Sequence, residues 1–166
     1  HSAQELEGFS CVADQYEMRC AHVLDTLKKH GIEQSALYTI AARGGLLPPG
    51  PGGARRVNQA MVDRLRNAPL VEHASNLAAI MAYEIAQANG IEAYIYDPIT
   101  TDELWDAARI SGIPQISRTS TVHALNSRAA ARDVAEQLGK PYEQANLIVA
   151  HLGGGVSYSA HLGGRM

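Results

Sequence analysis

The sequence predicts an α/β fold, a mixed sheet with flanking helices, and three observations lead there. Short apolar runs rich in strand formers recur at residues 37–42, 93–96 and 147–152, with stretches of helical spacing between them. Gly31, Gly90 and Gly139 each stand where one of those helical stretches should stop. The chain, at 166 residues and 46% hydrophobic, is long and apolar enough to bury a sizeable core. Strands alternating with helices favour layered packing of helices on a sheet.

The elements follow in order. Leu6, Phe9, Val12, Tyr16, Cys20, Val23, Leu24 and Leu27 recur at three and four residues, the spacing of one helix face, and Gly31 ends it. Residues 37–42 read as a strand running into the turn Arg43-Gly44-Gly45. LLPPGPGGARR then carries three prolines and three glycines, so residues 46–56 are expected to be a loop. Its length argues for function or disorder rather than simple connection. Residues 59–66 fit a short amphipathic helix and 75–89 a nearly all-apolar one. A strand over 93–96 ends at Asp97-Pro98, and Asp102 is an N-cap candidate for a short helix. Residues 123–138, rich in Ala and Arg, form a helix capped by Gly139 with Pro141 beyond. Residues 147–152 should be a buried strand, and 156–162 an alternating one.

Charge and composition exclude several classes of function. Net charge is −3 with both signs interspersed, and no Lys/Arg run tracks a nucleic-acid backbone, so no nucleic-acid partner is expected. No apolar stretch approaches bilayer length, and the opening HSAQELEGFS lacks the charged and apolar regions of a signal peptide. A cytoplasmic address with no membrane partner is the default expectation. Cys11 and Cys20 lie about 13 Å apart along a helix axis, too far for a bridge, and are expected to be buried free thiols. The missing initiator Met and the ending Gly-Gly-Arg-Met suggest an interior piece of something longer.

NLIVAHLGGGVSYSAH, residues 146–161, sets three glycines between two strands. A Walker loop needs GK[ST] and a helix after its glycines, and a dinucleotide fingerprint needs a helix too; here Val156-Ser157 and a period-two pattern follow. Two readings remain. The turn offers bare amides to a phosphate, or its glycines merely permit positive φ in a tight hairpin.

Polar residues beside the apolar runs supply the candidates. Ligands in open α/β sheets gather beyond strand C-termini, so Arg43, Asp97 and His151 are candidates for one cleft. Arg43 reads equally well as a solvated loop residue, and Asp97 as a cap for Thr100 or Thr101. His73 and His123, at helix starts, also suit capping or structural roles. The absence of HxxxH, CxxC and a carboxylate pair at ligand spacing argues against a transition-metal site. Nor does any GxSxG support a hydrolase triad.

IAARGGLLPPGPGG, EHASNLAAIMA, YIYDPITTDELWDAARISGIP, VHALNSRAAAR and NLIVAHLGGGVS, in that order and spacing, resemble the butyrate kinases of the acetate kinase family of carboxylate kinases. The resemblance runs over essentially the whole chain, and GGLLPPGPGG and EHASNL favour the butyrate and branched-chain branch. It implies the actin-like fold shared with sugar kinases and heat-shock ATPases, two ribonuclease-H-like halves around an ATP cleft. Residues 1–145 would be most of the first half without its first strands, and 146–166 the start of the second with its phosphate-binding hairpin, truncated at both ends.

The resemblance further implies reversible, MgATP-dependent phosphorylation of a short-chain fatty acid to an acyl phosphate, with ATP and Mg²⁺ as cofactors, in a homo-oligomer. By position, Arg43 resembles the arginine beside the carboxylate and the phosphoryl group. Asp97 resembles the acidic residue near the metal, and His123 the histidine on the transferring phosphoryl group. His73 and Asn76 fall in the segment lining the acid pocket, while His151 with Gly153, Gly154 and Gly155 matches the hairpin that holds nucleotide phosphates. These residue types suit the chemistry. An acid of pKa about 4 to 5 is already ionised at neutral pH and needs no general base. The task is alignment and charge stabilisation, which falls to Arg, His, backbone amides and Mg²⁺, with Asp97 a metal or water ligand.

The family's opening NPGST-like turn and its C-terminal half with a second arginine and adenosine pocket have no counterpart here, so the isolated chain is expected to be inactive. Acetate or propionate kinase, or a non-catalytic nucleotide-binding domain of the actin-like superfamily, are the alternative readings.

Overall fold

In the computed structural model, which describes residues 2–67 and 71–166, the apolar runs near residues 40 and 94 pair as parallel strands. Strand β1 (Thr39–Arg43) lies beside β3 (Glu92–Tyr96), with Thr39 opposite Glu92 and Arg43 opposite Tyr96. On the other edge of β3, β2 (Ala54–Arg56) runs antiparallel, with Ala54 opposite Tyr96. The three-stranded sheet is therefore mixed, in the order β1-β3-β2. Strand β2 is a correction to the loop expected over 46–56, whose last three residues pair with β3. Pairing is non-local, so the glycines and prolines before it gave no sign of it.

Helices α3 (Gln59–Asn67) and α4 (Ser75–Ala88) lie between β2 and β3 in the chain. Helix α4 contacts β1, β3, α3 and α2 (Tyr16–Lys29), which explains why it is apolar nearly all round. Leu77 and Ile80 of α4, Val62 and Leu65 of α3, and Ile95 at the middle of β3 form the core, and Ile95 is fully buried. The N-terminal periodicity does not make one continuous helix. Helix α1 (Ala3–Leu6) ends before Gly8, and a short turn over Ala13–Gln15 leads into α2. Asp14 accepts the Cys11 N–H at 3.3 Å there, a local side-chain bond that competes with helix propagation. Cys11 and Cys20 are free but half-buried, a correction to the buried thiols expected.

The predicted glycine stops hold. After α2, Gly31 takes φ +67° while Ile32 N–H donates to Leu27 O at 3.0 Å. Gly90 after α4 and Gly139 after α5 (Ala124–Gln137) repeat the arrangement at φ +66° and +65°. Each is the six-to-one closure that leaves a left-handed residue past the helix end.

Two compact units result. One runs to Leu47 and resumes over Ala54–Tyr96; the other comprises Pro48–Gly53 and Asp97–Met166. In the second, β4 (Leu147–Leu152) and β5 (Val156–His161) form an antiparallel hairpin with Val149 opposite Ser159. Leu147 and Val149 pack against Ala131 and Ala135 of α5 and against Tyr142 and Ala145. The opposite face is apolar and open, with Ile148 82% and Tyr158 70% exposed. The strand expected to be buried is thus buried on one face only. Asp102 is no N-cap either: its carboxylate accepts the Leu104 N–H at 3.1 Å and is forked by Arg109, and the short 3-10 turn opens later, over Asp106–Arg109.

Candidate active site

In the first unit, Arg43 closes β1 with its side chain exposed, and two buried glycines follow it. A Cβ on Gly45 would lie 2.6 Å from Asn76 Oδ1 and 2.7 Å from Asn76 Cα, so glycine is required for the chain to pass the start of α4. Asn76, 5% exposed, accepts the Leu46 N–H at 2.9 Å and donates to Val71 O at 2.9 Å. It thus clamps the turn after Arg43 from inside. His73 is exposed, and its Nδ1 faces Ser75 Oγ at 2.7 Å and accepts the Ser75 N–H at 3.1 Å, the local helix-start role considered for it.

In the second unit, Asp97 is 2% exposed and has φ +40°, the one positive φ among described non-glycine residues. It does not cap the following turn, because the Thr101 N–H donates to Pro98 O at 2.8 Å. Instead Oδ1 accepts the Gly53 N–H at 2.7 Å, and Oδ2 lies 2.8 Å from Arg128 Nε. Arg128 Nη2 is 2.9 Å from Glu103 Oε2, and Glu103 Oε1 accepts the Gly52 N–H at 3.1 Å. Burial works against the Arg128 charge, but the Asp97 and Glu103 carboxylates outweigh it and raise the pKa, so the guanidinium stays charged. Among the described residues no group of three His, Cys, Asp or Glu side chains is arranged to hold a metal ion.

His123 immediately precedes α5, and the hairpin register sets His151 opposite Ser157. The His123 and His151 rings stack at 3.9 Å with planes 8° apart. His123 Nδ1 is 2.8 Å from Ser157 Oγ, and His151 Nδ1 is 2.8 Å from Asn126 Oδ1. Gly153, Gly154 and Gly155 form the exposed turn beside them, and none adopts positive φ. The hairpin-permissive reading of these glycines therefore fails. A Cβ on Gly155 would stand 2.9 Å from His123 Cε1, while one on Gly154 meets nothing within 4 Å. The Gly153 N–H is used inside the turn, donating to Gly155 O at 3.2 Å, so the amides of Gly154 and Gly155 are the ones left to consider for an anion.

Comparison with known proteins bears on these residues. No family model matches the sequence. Over all 166 residues the chain is 46% identical to butyrate kinase 1 of Clostridium acetobutylicum. The chain is thus similar to butyrate kinase along its whole length. It spans about half of that protein, covering 47% of its length. Solved acetate kinases share the fold. That of Porphyromonas gingivalis matches 89% of this chain and 40% of its own at TM-score 0.68 and 20% identity. The Entamoeba histolytica enzyme matches 90% and 40% at TM-score 0.62 and 16% identity. The α/β fold expected from the sequence is therefore present, and it is shared with the acetate kinases.

The motifs quoted above for their resemblance also contain polar residues not singled out there. Glu103 lies in DPITTDELW and Arg128 in VHALNSRAAAR. One signal was available: Ala124, Ser127, Arg128, Ala131 and Ala135 share the buried face of α5, and an arginine among small residues on such a face needs a buried partner. Ser159 and Tyr142, which bracket the buried His161 at 2.9 and 2.7 Å, carried no such signal. An open cleft of about 440 Å³ along β5, lined by Trp105, Thr119, Thr121 and Tyr158 among others, contains none of the predicted site residues.

Proposed function

We propose that the protein carrying this chain transfers a phosphoryl group reversibly between ATP and butyrate or a related short-chain fatty acid, forming an acyl phosphate. The observation that carries this reading is the His123–His151 stack held against Gly155 of an exposed glycine turn, in a chain related throughout its length to butyrate kinase. The acid is already anionic, so no base is needed; donors must offset the repulsion between it and the phosphates. His123, its ring plane held by Ser157 and His151, contacts the transferring phosphoryl oxygens. The glycine turn with His151 holds nucleotide phosphates, and Arg43 lies beside the acid carboxylate.

His73 and Asn76 contribute to the acid pocket, Asn76 by shaping the Gly45-Leu46 turn because both ends of its amide bond backbone. When bound, ATP would supply the phosphoryl group and Mg²⁺ would offset its charge. Asp97 has the right donor chemistry for Mg²⁺. Its Oδ1 accepts the Gly53 N–H and its Oδ2 lies 2.8 Å from Arg128 Nε, and it would supply a carboxylate near the ion. Within this reading, residues 1–145 belong to the first ribonuclease-H-like half and 146–166 open the second. The protein works in the cytoplasm as a homo-oligomer. No helix among the described residues is long and apolar enough to cross a membrane.

The test is acyl-phosphate formation, trapped as hydroxamate, by the natural polypeptide carrying this chain, with ATP, Mg²⁺ and each of acetate, propionate, butyrate and isobutyrate. The expected result is the highest kcat/KM with a four-carbon acid and no turnover by the 166-residue chain alone. A preference for acetate or propionate moves the assignment to those kinases. Nucleotide binding without turnover of any acid overturns it in favour of a non-catalytic module.

A further inference from the structure

The loop Pro48–Gly53 consists of three prolines and three glycines, so it has no side chain able to anchor it by polar bonds. Backbone groups do the anchoring. Gly50 O accepts the Asp102 N–H at 2.8 Å, the Gly52 N–H donates to Glu103, and the Gly53 N–H donates to Asp97. Two carboxylates are thereby drawn together under one turn, where they repel. Arg128 resolves this. Each carboxylate gives one oxygen to a glycine amide and turns the other toward the guanidinium, at 2.8 Å for Asp97 and 2.9 Å for Glu103.

Arg128 is 5% exposed, and a Cβ on Gly52 would run into its Nη2 and into Glu103 Oε1, so the loop is moulded around this group. The same hub reaches the chain's last turn. The Met166 N–H donates to Glu103 Oε2 at 3.1 Å, and Arg165 Nη2 donates to Glu103 O at 3.0 Å. Arg128 also sits on α5, the helix whose start carries His123.

We propose that Arg128 is a positioning residue: its planar fork fastens the Gly52–Gly53 turn to Asp97 and Glu103 and holds the Asp97 carboxylate in its catalytic orientation. The catalytic half of this statement rests on the carboxylate kinase reading; the fastening half does not. Lysine, a point charge on a flexible stem, cannot meet two carboxylates in fixed geometry, so Arg128→Lys separates geometry from charge.

The experiment uses the natural polypeptide with Arg128→Lys, Arg128→Met, Asp97→Asn, Glu103→Gln and the pair Asp97→Asn with Arg128→Met. Arg128→Met is expected to lower kcat about 100-fold with KM for ATP nearly unchanged, and Arg128→Lys to restore only part of it. The double variant should be no slower than Asp97→Asn alone, because Arg128 acts through Asp97. Hydrogen exchange of the Gly52 and Gly53 amides should rise about tenfold in both Arg128 variants while residues 93–95 keep their protection. Glu103→Gln should release Gly52 alone, and it carries the test with Arg128→Lys if Arg128→Met does not fold. Unchanged exchange at Gly52 and Gly53, or rate losses that multiply in the double variant, overturns the proposal. If the parent protein turns over no acid, the kinase reading fails, and the exchange result decides the fastening by itself.

Discussion

The imidazoles of His123 and His151 stack face to face, 3.9 Å between centroids and 8° from parallel, although 27 residues separate them in the chain (151 − 123 is 28 positions). Ser157 of the hairpin holds the His123 ring and Asn126 of α5 holds the His151 ring, so hairpin and helix are tied in both directions. The hairpin and the start of α5 thereby present one surface beside the glycine turn.

Gly155 and Gly154 should therefore respond differently to the same change. Gly155→Ala brings a Cβ to 2.9 Å from His123 Cε1 and displaces the ring. We expect kcat to fall roughly 10- to 100-fold in the parent protein, with stability within about 0.5 kcal/mol, because the turn is exposed. Gly154→Ala touches no protein atom within 4 Å, so any loss it causes should appear in KM for ATP. Steady-state kinetics and thermal melts of both variants check this, and a fully active Gly155→Ala enzyme contradicts it.

At Gly45 the obstacle is backbone rather than a movable ring. Alanine there collides with Asn76 Cα at 2.7 Å, and we expect a loss of about 1–3 kcal/mol, read from urea unfolding. Gly8→Ala, with open space around it, serves as the control and should cost nothing measurable.

His161 makes stability depend on pH. Burial first, and then the Arg128 charge, push its pKa below the ordinary 6.5. The unfolded chain then binds the proton more readily than the folded one. His161's contribution is full above about pH 6.5 and is lost as pH falls from there through the lowered folded value. Unfolding free energies measured down to about pH 5 should decline in the wild type, and His161→Gln should flatten that decline. An unchanged slope in the variant would assign the pH dependence to other groups.

Core and surface isoleucines should separate cleanly. Ile95 is fully buried in the central strand, and Ile95→Ala should cost about 2–5 kcal/mol. Ile148, 82% exposed on the hairpin's open face, should tolerate alanine within about 0.5 kcal/mol in the isolated chain. Denaturation midpoints of the two variants decide the matter.

Much of the fold was legible because it follows from local rules. The Ala-rich composition of α5, the long apolar run of α4 and the alternation of β5 are each visible within about a dozen residues. The placement of the candidate residues was legible in part: Arg43 ends β1, Asp97 follows β3, His123 precedes α5 and His151 lies within β4. Their partners were not. Ser157 and Asn126 became visible only through hairpin register and the approach of α5, and Glu103 only through the loop it holds.

The sequence by itself determined where the helices stop, because a left-handed φ at Gly31, Gly90 or Gly139 is a preference of that residue alone. It likewise determined that a glycine turn would join two strands near residue 154. Tertiary structure decided that residues 54–56 would pair with β3, that the run over 6–27 would break, and that Asp97 would face Arg128 instead of capping its own turn. Strand pairing and charge pairing join segments far apart in the chain. Their energies depend on distances that exist only once the core has brought those segments together.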